Sequence, residues 1–179
     1  MFTVLMKKAV KKMGKKMNNE LLLPMIYVDT REQKPYIFNK TKNCMGSILT
    51  KLDAGDYTIE GCEDLIRIER KSSVTELFIN LGRERERFYN EIERMADIKY
   101  KFLVLEFSYA DLLKGSYYSK ISPNYIISNL MKLSLEHNIH VIYCGDRINA
   151  QDYSRRLLLK IWKYKTEGRF NEKRIAEQE

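Results

Sequence analysis

Apolar and polar positions change rhythm repeatedly along this chain, and the changes predict strands alternating with helices. MIYVDT (25–30) is a short apolar run ending on an acid, which predicts a buried strand, with REQKP following as a loop. KNCMGSILTKLD (42–53) has helical spacing, with Gly46 as its weak point. AGDYTIEGCEDLIRIERKSS (54–73) alternates on both sides of GCED and predicts a hairpin. SSVTELFINL (72–81) predicts a helix with Ser72 or Ser73 as its cap. GRERERFYNEIERMADI (82–98) predicts a strongly amphipathic helix with Phe88, Ile92 and Met95 near one face. KFLVLEF (101–107) and HVIYCG (140–145) predict strands buried on both sides. SPNYIISNLMKLSLEHN (122–138) predicts a helix opened by Ser122 and Pro123, and AQDYSRRLLLKIWKYKTEGRF (150–170) a last helix that breaks near Gly168.

This order predicts one α/β domain, in which the hairpin adds an antiparallel element to the sheet. The chain divides into a basic arm (1–24), a body (25–149) and a C-terminal helix (150–179) that completes the domain or forms a dimer interface. In the arm, Lys7, Lys8, Lys11, Lys12, Lys15 and Lys16 recur with helical spacing beside an apolar line of Met6, Val10, Met13 and Met17. That pattern suits an arm on DNA phosphates, a membrane-surface helix or a solvated tail. In the last helix, Tyr153, Leu157, Ile161 and Tyr164 form an apolar stripe that Leu158 and Trp162 broaden. Such a girth suits either a partner or the chain's own core.

Charge sharpens the picture. The 179 residues carry a formal net charge of +8, concentrated at the two ends around a neutral body. Basic ends suit a polyanionic partner, of which nucleic acid is the commonest. No apolar run is long enough to span a bilayer, and the lysines of the first residues occupy the place of a signal peptide's apolar centre. Cys44, Cys62 and Cys144 lie far apart without CxxC spacing, which suits free thiols in a reducing compartment. The expected location is therefore cytoplasmic (nucleoid-associated) or nuclear, not secreted. No zinc site is expected at His137 and His140, which read as turn residues before a strand.

The hairpin holds the candidate chemistry. With its turn centred between Cys62 and Glu63, Tyr57 faces Ile68 and Ile59 faces Ile66, so four apolar side chains share one side. Asp56 then faces Glu69 on the other side, with Lys71 two residues further along that same face. Like charges opposed about 5 Å apart destabilise a sheet, whereas a shared divalent cation reverses the penalty. Two carboxylates, an ion and an ammonium form a constellation suited to phosphodiester hydrolysis. The same spacing also fits a hairpin with charges scattered over a solvated face.

VDTRE (28–32), GDYTI (55–59) and IERKSS (68–73), in this order, resemble the three signature motifs of the XPF-type structure-specific endonucleases. GRERERFYNEIERM and FLVLEF are similar to the helix and buried strand that follow in that family, so the likeness spans roughly residues 25–145. The resemblance implies the restriction-endonuclease-like, PD-(D/E)XK fold: a mixed central sheet flanked by helices. It implies an acidic centre of Asp29, Asp56 and Glu69, with the metal on Asp56, Glu69 and the main-chain carbonyl of Arg70. Lys71 matches the catalytic lysine, while Arg31, Glu32 and Arg70 match supporting residues. The implied cofactor is magnesium (Mg2+), with manganese (Mn2+) as a substitute. The implied substrate is branched double-stranded DNA, such as flaps, forks or junctions, and the implied state is a homodimer, with a heteromeric partner as the alternative.

Three departures from the family pattern stand out. Thr75 replaces the usual aspartate four positions after the lysine, with Glu76 beside it. The family's arginine-to-glutamine helix pattern aligns on Arg87–Glu91, with Arg83 as the alternative arginine. No tandem helix–hairpin–helix domain fits after residue 150, so branch recognition is expected from the nuclease domain, the basic ends, a partner chain or a combination, with Arg83, Arg87, Arg155 and Arg156, supplemented by Lys160 and Lys163, as candidate DNA contacts. A different class of function, a non-catalytic DNA-binding subunit of a nuclease complex, also fits the family.

Overall fold

The computed structural model describes residues 23–170, so all but the last two residues of the basic arm expected over residues 1–24 lie outside the described residues. Six strands form one sheet: β1 (Met25–Asp29), β2 (Gly46–Thr50), β3 (Tyr57–Ile59), β4 (Ile66–Lys71), β5 (Tyr100–Leu105) and β6 (Ile139–Tyr143). Their order is β2-β1-β3-β4-β5-β6, and β3 alone runs against its neighbours. Five helices complete the described fold: α1 (Val74–Leu81), α2 (Arg85–Arg94), α3 (Tyr109–Lys114), α4 (Pro123–His137) and α5 (Arg147–Thr166).

Side chains alternate across the sheet and build two cores, as strand geometry requires. Leu103 and Leu105 pack under α1 to α4, against Leu77, Phe78, Phe88, Ile92, Ile126 and Leu130. Val104, Ile66 and Ile68 turn the other way and meet Tyr57, Ile59 and the inner face of α5. That face is Ala150, Ser154, Leu158 and Ile161. The last helix therefore closes its own sheet, with Tyr153, Leu157 and Trp162 half-buried along its flanks. Among the described residues no helix is long and apolar enough to cross a membrane.

The expected hairpin register is present, with Tyr57 opposite Ile68 and all four apolar residues of the match fully buried. Its other face is not solvated: Arg67, Glu69 and Lys71 are at most 7% exposed.

The segment 42–53 departs from expectation. It contains a strand, not a helix: Gly46–Thr50 runs parallel to β1, and the Met45 amide donates to the Pro24 carbonyl at 3.0 Å. Gly46, at φ +115°, takes a conformation that a helix cannot contain. As the edge strand, β2 leaves Ile48 and Leu49 exposed, so its apolar pattern lacks the regular alternation of a strand. The expected helix over 82–98 shortens to Arg85–Arg94, and the last helix starts earlier than expected, capped by Asp146. His140 lies inside β6, stacked on Phe102, and His137 closes α4 beside Glu93.

Candidate active site

The parallel strands β1, β4 and β5 deliver their carboxyl ends to one edge of the sheet, and β3 begins there. Asp56 lies immediately before β3 and stitches its two neighbours together. Its amide donates to the Ile68 carbonyl at 2.8 Å, and its own carbonyl accepts from the Asp29 amide at 2.8 Å. The ladder between β3 and β4 stops at Tyr57, so Asp56 and Glu69 are not a further ladder pair as the hairpin pattern predicted. Instead Oδ2 of Asp56 accepts the Arg70 amide at 2.7 Å. This side-chain bond takes the place of a rung and fixes the carboxylate.

Gly55 makes that approach possible. It sits at φ +69°, and a Cβ there would lie 2.5 Å from Cγ of Arg67 and 3.2 Å from the Ile68 carbonyl oxygen. Only glycine fits both the conformation and the space.

Glu69 and Lys71 project from the same face of β4. Lys71 Nζ lies 2.6 Å from Oε1 of Glu69, over the Phe88 ring at 5.1 Å and 3.8 Å from Oε1 of Glu76. Burial alone would favour the neutral amine, but Glu69 outweighs it and holds Lys71 as an ammonium with its pKa raised. Burial raises the Glu69 carboxyl even against Lys71. Asp56 is pushed well above the usual carboxylate range, first by burial and then by the charge of Glu69. The second oxygen of Glu69, Oε2, is buried with no hydrogen-bond partner among the described residues.

Arg70 points to the opposite face. Its guanidinium meets Glu106 at 2.6 Å and Glu32 at 3.1 Å, and covers the Tyr36 ring at 5.3 Å. Arg147, at the start of α5, reaches Glu106 at 3.4 Å and donates to the carbonyls of Lys34 and Pro35. Glu106 and Arg147 escaped the sequence reading. Glu106 ends an apolar strand and Arg147 precedes the helix expected over 150–170, so only the fold brings them together beside Arg70.

Asp29 is fully engaged in structure. It accepts from the Arg31 amide at 2.8 Å, from Arg31 Nε at 2.7 Å and from the Leu52 amide at 2.7 Å. Burial opposes its ionisation, but these hydrogen bonds prevail and hold its pKa below the ordinary value. Its carboxylate therefore ties the ends of β1 and β2 together.

Asp29, Glu32, Asp56, Glu69, Arg70 and Lys71 all line one open cleft of about 480 Å³, with Arg31, Glu76, Arg87 and Glu91 among the other walls. Arg87 is paired with Glu84 at 3.6 Å. Arg83 is exposed in the turn between α1 and α2, outside the cleft lining. Arg155 and Arg156 also lie outside it, both clamped on Asp152 at 2.8 Å and 2.6 Å. Lys160 covers Tyr164, and Lys163 pairs with Glu167.

The sequence model of the ERCC4 domain matches residues 28–157, well over half of the chain. The chain belongs to the ERCC4 domain family. The ERCC4 domain here has the XPF-type nuclease fold, a restriction-endonuclease-like α/β fold. It is similar to XPF from Aeropyrum pernix, with a TM-score of 0.58 and 19% identity. That alignment covers 74% of this chain and 64% of the other, so the chain spans just under two thirds of its length. XPF from Aeropyrum pernix in complex with DNA aligns with a TM-score of 0.57 and 19% identity, over 84% of this chain and 69% of that one. No curated protein matches.

Within the ERCC4 domain the residues fit a divalent ion. No cage of three His, Cys, Asp or Glu side chains exists among the described residues. A hard ion that keeps several of its waters needs only one or two carboxylates. Asp56 and Glu69 line the same cleft, and the unmatched Glu69 Oε2 is a buried acceptor without a donor. Leaving such an oxygen unsatisfied costs on the order of 1–3 kcal/mol, which a cation there would recover.

Proposed function

We propose that this ERCC4 domain is a metal-dependent endonuclease that hydrolyses phosphodiester bonds in branched double-stranded DNA. The observation that carries the reading is the convergence of Asp56, Glu69 and Lys71 in one cleft, with a buried carboxylate oxygen unmatched. Asp56, Glu69 and the Arg70 carbonyl would hold Mg2+, or Mn2+ in its place. The ion supplies Lewis-acid charge to a phosphate and activates a nucleophile.

The chain's own groups do the rest. Glu69 holds Lys71 as an ammonium, which suits it to neutralise negative charge developing on the phosphate. The bond from the Arg70 amide orients Asp56, and the Glu32–Arg70–Glu106 contacts on the far face keep β4 in place beneath the reaction. Asp29 and Arg31 act as positioning residues, because the Asp29 carboxylate is engaged by Arg31 and Leu52. Arg87, on the cleft wall, is placed for a phosphate once it leaves Glu84. The reading includes a homodimer: with its inner face spent on the sheet, α5 would offer a partner its flanks around Tyr153, Leu157 and Trp162.

The test is cleavage of end-labelled flap, fork, junction and linear duplex DNA by the purified chain in Mg2+ or Mn2+. Cutting near the branch supports the reading. Tight binding of branches without any cutting would point to the non-catalytic subunit instead, and absence of both would reject it.

A further inference from the structure

Thr75, the departure from the family pattern, makes a contact with a consequence for substrate choice. Its Oγ1 lies 3.1 Å from Oγ of Ser116 and ties α1 to the loop that follows α3. The next residue along α1 is Glu76, which lines the cleft and receives hydrogen bonds from Ser72. The loop is thus fixed one residue away from the cleft wall.

That loop reads Gly115-Ser116-Tyr117-Tyr118-Ser119-Lys120. Tyr117 is 95% exposed and Tyr118 83% exposed, an extreme for neighbouring aromatic residues. The loop is nevertheless anchored at both ends. The Gly115 amide donates to the Leu112 carbonyl and the Ser119 amide to the Ser116 carbonyl. The Ile121 amide bonds Ser119 Oγ at 3.1 Å, and the Ile121 side chain packs on the core where Gly82 leaves room. The two rings meet edge to face, with centroids 5.2 Å apart and planes at 86°. This arrangement leaves open ring faces.

We infer that Tyr117 and Tyr118 form a stacking platform for unpaired bases of the DNA substrate at the lip of the cleft. The inference rests on the nuclease reading above and adds what selects the branch. Open tyrosine faces accept any base, and such stacking strengthens binding about 5- to 150-fold per base. The neighbours of the pair are small, polar or basic, with no aliphatic side chain between Gly115 and Lys120. That setting suits planar bases on a charged backbone better than an apolar protein helix. The Thr75–Ser116 contact ties the platform to the helix that carries Glu76 of the cleft wall.

The experiment uses the full chain and fork DNA with 2-aminopurine in the unpaired arm next to the branch. Binding is read by fluorescence in EDTA, and cleavage in Mg2+. The parent quenches the fluorophore. Y117A/Y118A loses the quenching and raises KM on the fork about thirtyfold, the middle of the range for one stacked base. Its kcat and its affinity for linear duplex stay unchanged. Y117F/Y118F, which keeps the rings, behaves as the parent, and circular dichroism confirms that both variants fold. Equal quenching and equal KM for parent and Y117A/Y118A on a fork that the parent cuts would overturn the platform and leave the nuclease reading intact. A loss of binding equal on fork and duplex, or a change of oligomeric mass without a change in fluorescence, would also overturn it. A parent that neither binds nor cuts the fork overturns both.

Discussion

Lys71 Nζ sits 2.6 Å from one oxygen of Glu69 while the other oxygen of that carboxylate, buried beside it, has no hydrogen-bond partner among the described residues. A carboxylate half-matched in this way has one role assigned within the chain and another left for something that enters the cleft. Lys71→Ala should therefore separate two effects. It removes charge stabilisation, lowering kcat about 10²- to 10³-fold. It also strands Glu69 and lowers the melting temperature of the metal-free protein. Saturating Mg2+ should restore the melting temperature without restoring the rate, as thermal melts and single-turnover cleavage would report.

The pH dependence follows from Asp56. Burial and the Glu69 charge raise its pKa, so the folded chain binds this proton more tightly than the unfolded chain does. Its contribution to stability is fully present below the unfolded carboxylate range, about 4, and is lost as pH rises through the folded value. The metal-free protein should therefore melt at a lower temperature as pH is raised, with a flatter slope in Asp56→Asn. Mg2+ binding requires the ionised pair, so calorimetry in buffers of different ionisation enthalpy should show proton release on binding.

Gly55→Ala should damage both fold and site. The new Cβ would collide with Arg67 and the Ile68 carbonyl at a positive φ. Such strain costs on the order of 1–3 kcal/mol. Because Asp56 is the next residue, cleavage should fall further than the loss of stability explains at a temperature where the variant remains folded.

Glu106→Ala removes a buried partner from both Arg70 and Arg147. Breaking such a buried pair costs about 3–5 kcal/mol. Glu32 retains one contact to Arg70, so the lower end is expected in denaturant melts. Glu106→Gln, which keeps an acceptor, should recover most of the loss.

These relationships were legible in the sequence to different depths. The apolar match of Tyr57, Ile59, Ile66 and Ile68 set the hairpin register, because a one-residue slip would break that match. Motif spacing likewise brought Asp56, Glu69 and Lys71 together. The β2 strand was hidden because an edge strand's exposure follows its place in the sheet, and its partner β1 lies some twenty residues earlier. Glu106 and Arg147 are 41 residues apart and meet only through the sheet, with no local pattern to announce them. Thr75 appeared as a missing acid; its contact with Ser116 gives it a different part to play.

The most direct test of the central claim is the single-turnover cleavage rate of flap or fork DNA in saturating Mg2+, comparing the parent with Asp56→Asn and Glu69→Gln. The account predicts branch-proximal cutting by the parent and at least a hundredfold slower cutting by each variant, in the range of about 10²–10³ for loss of a key electrostatic group, with both variants still folded. Equal rates in all three proteins would contradict it.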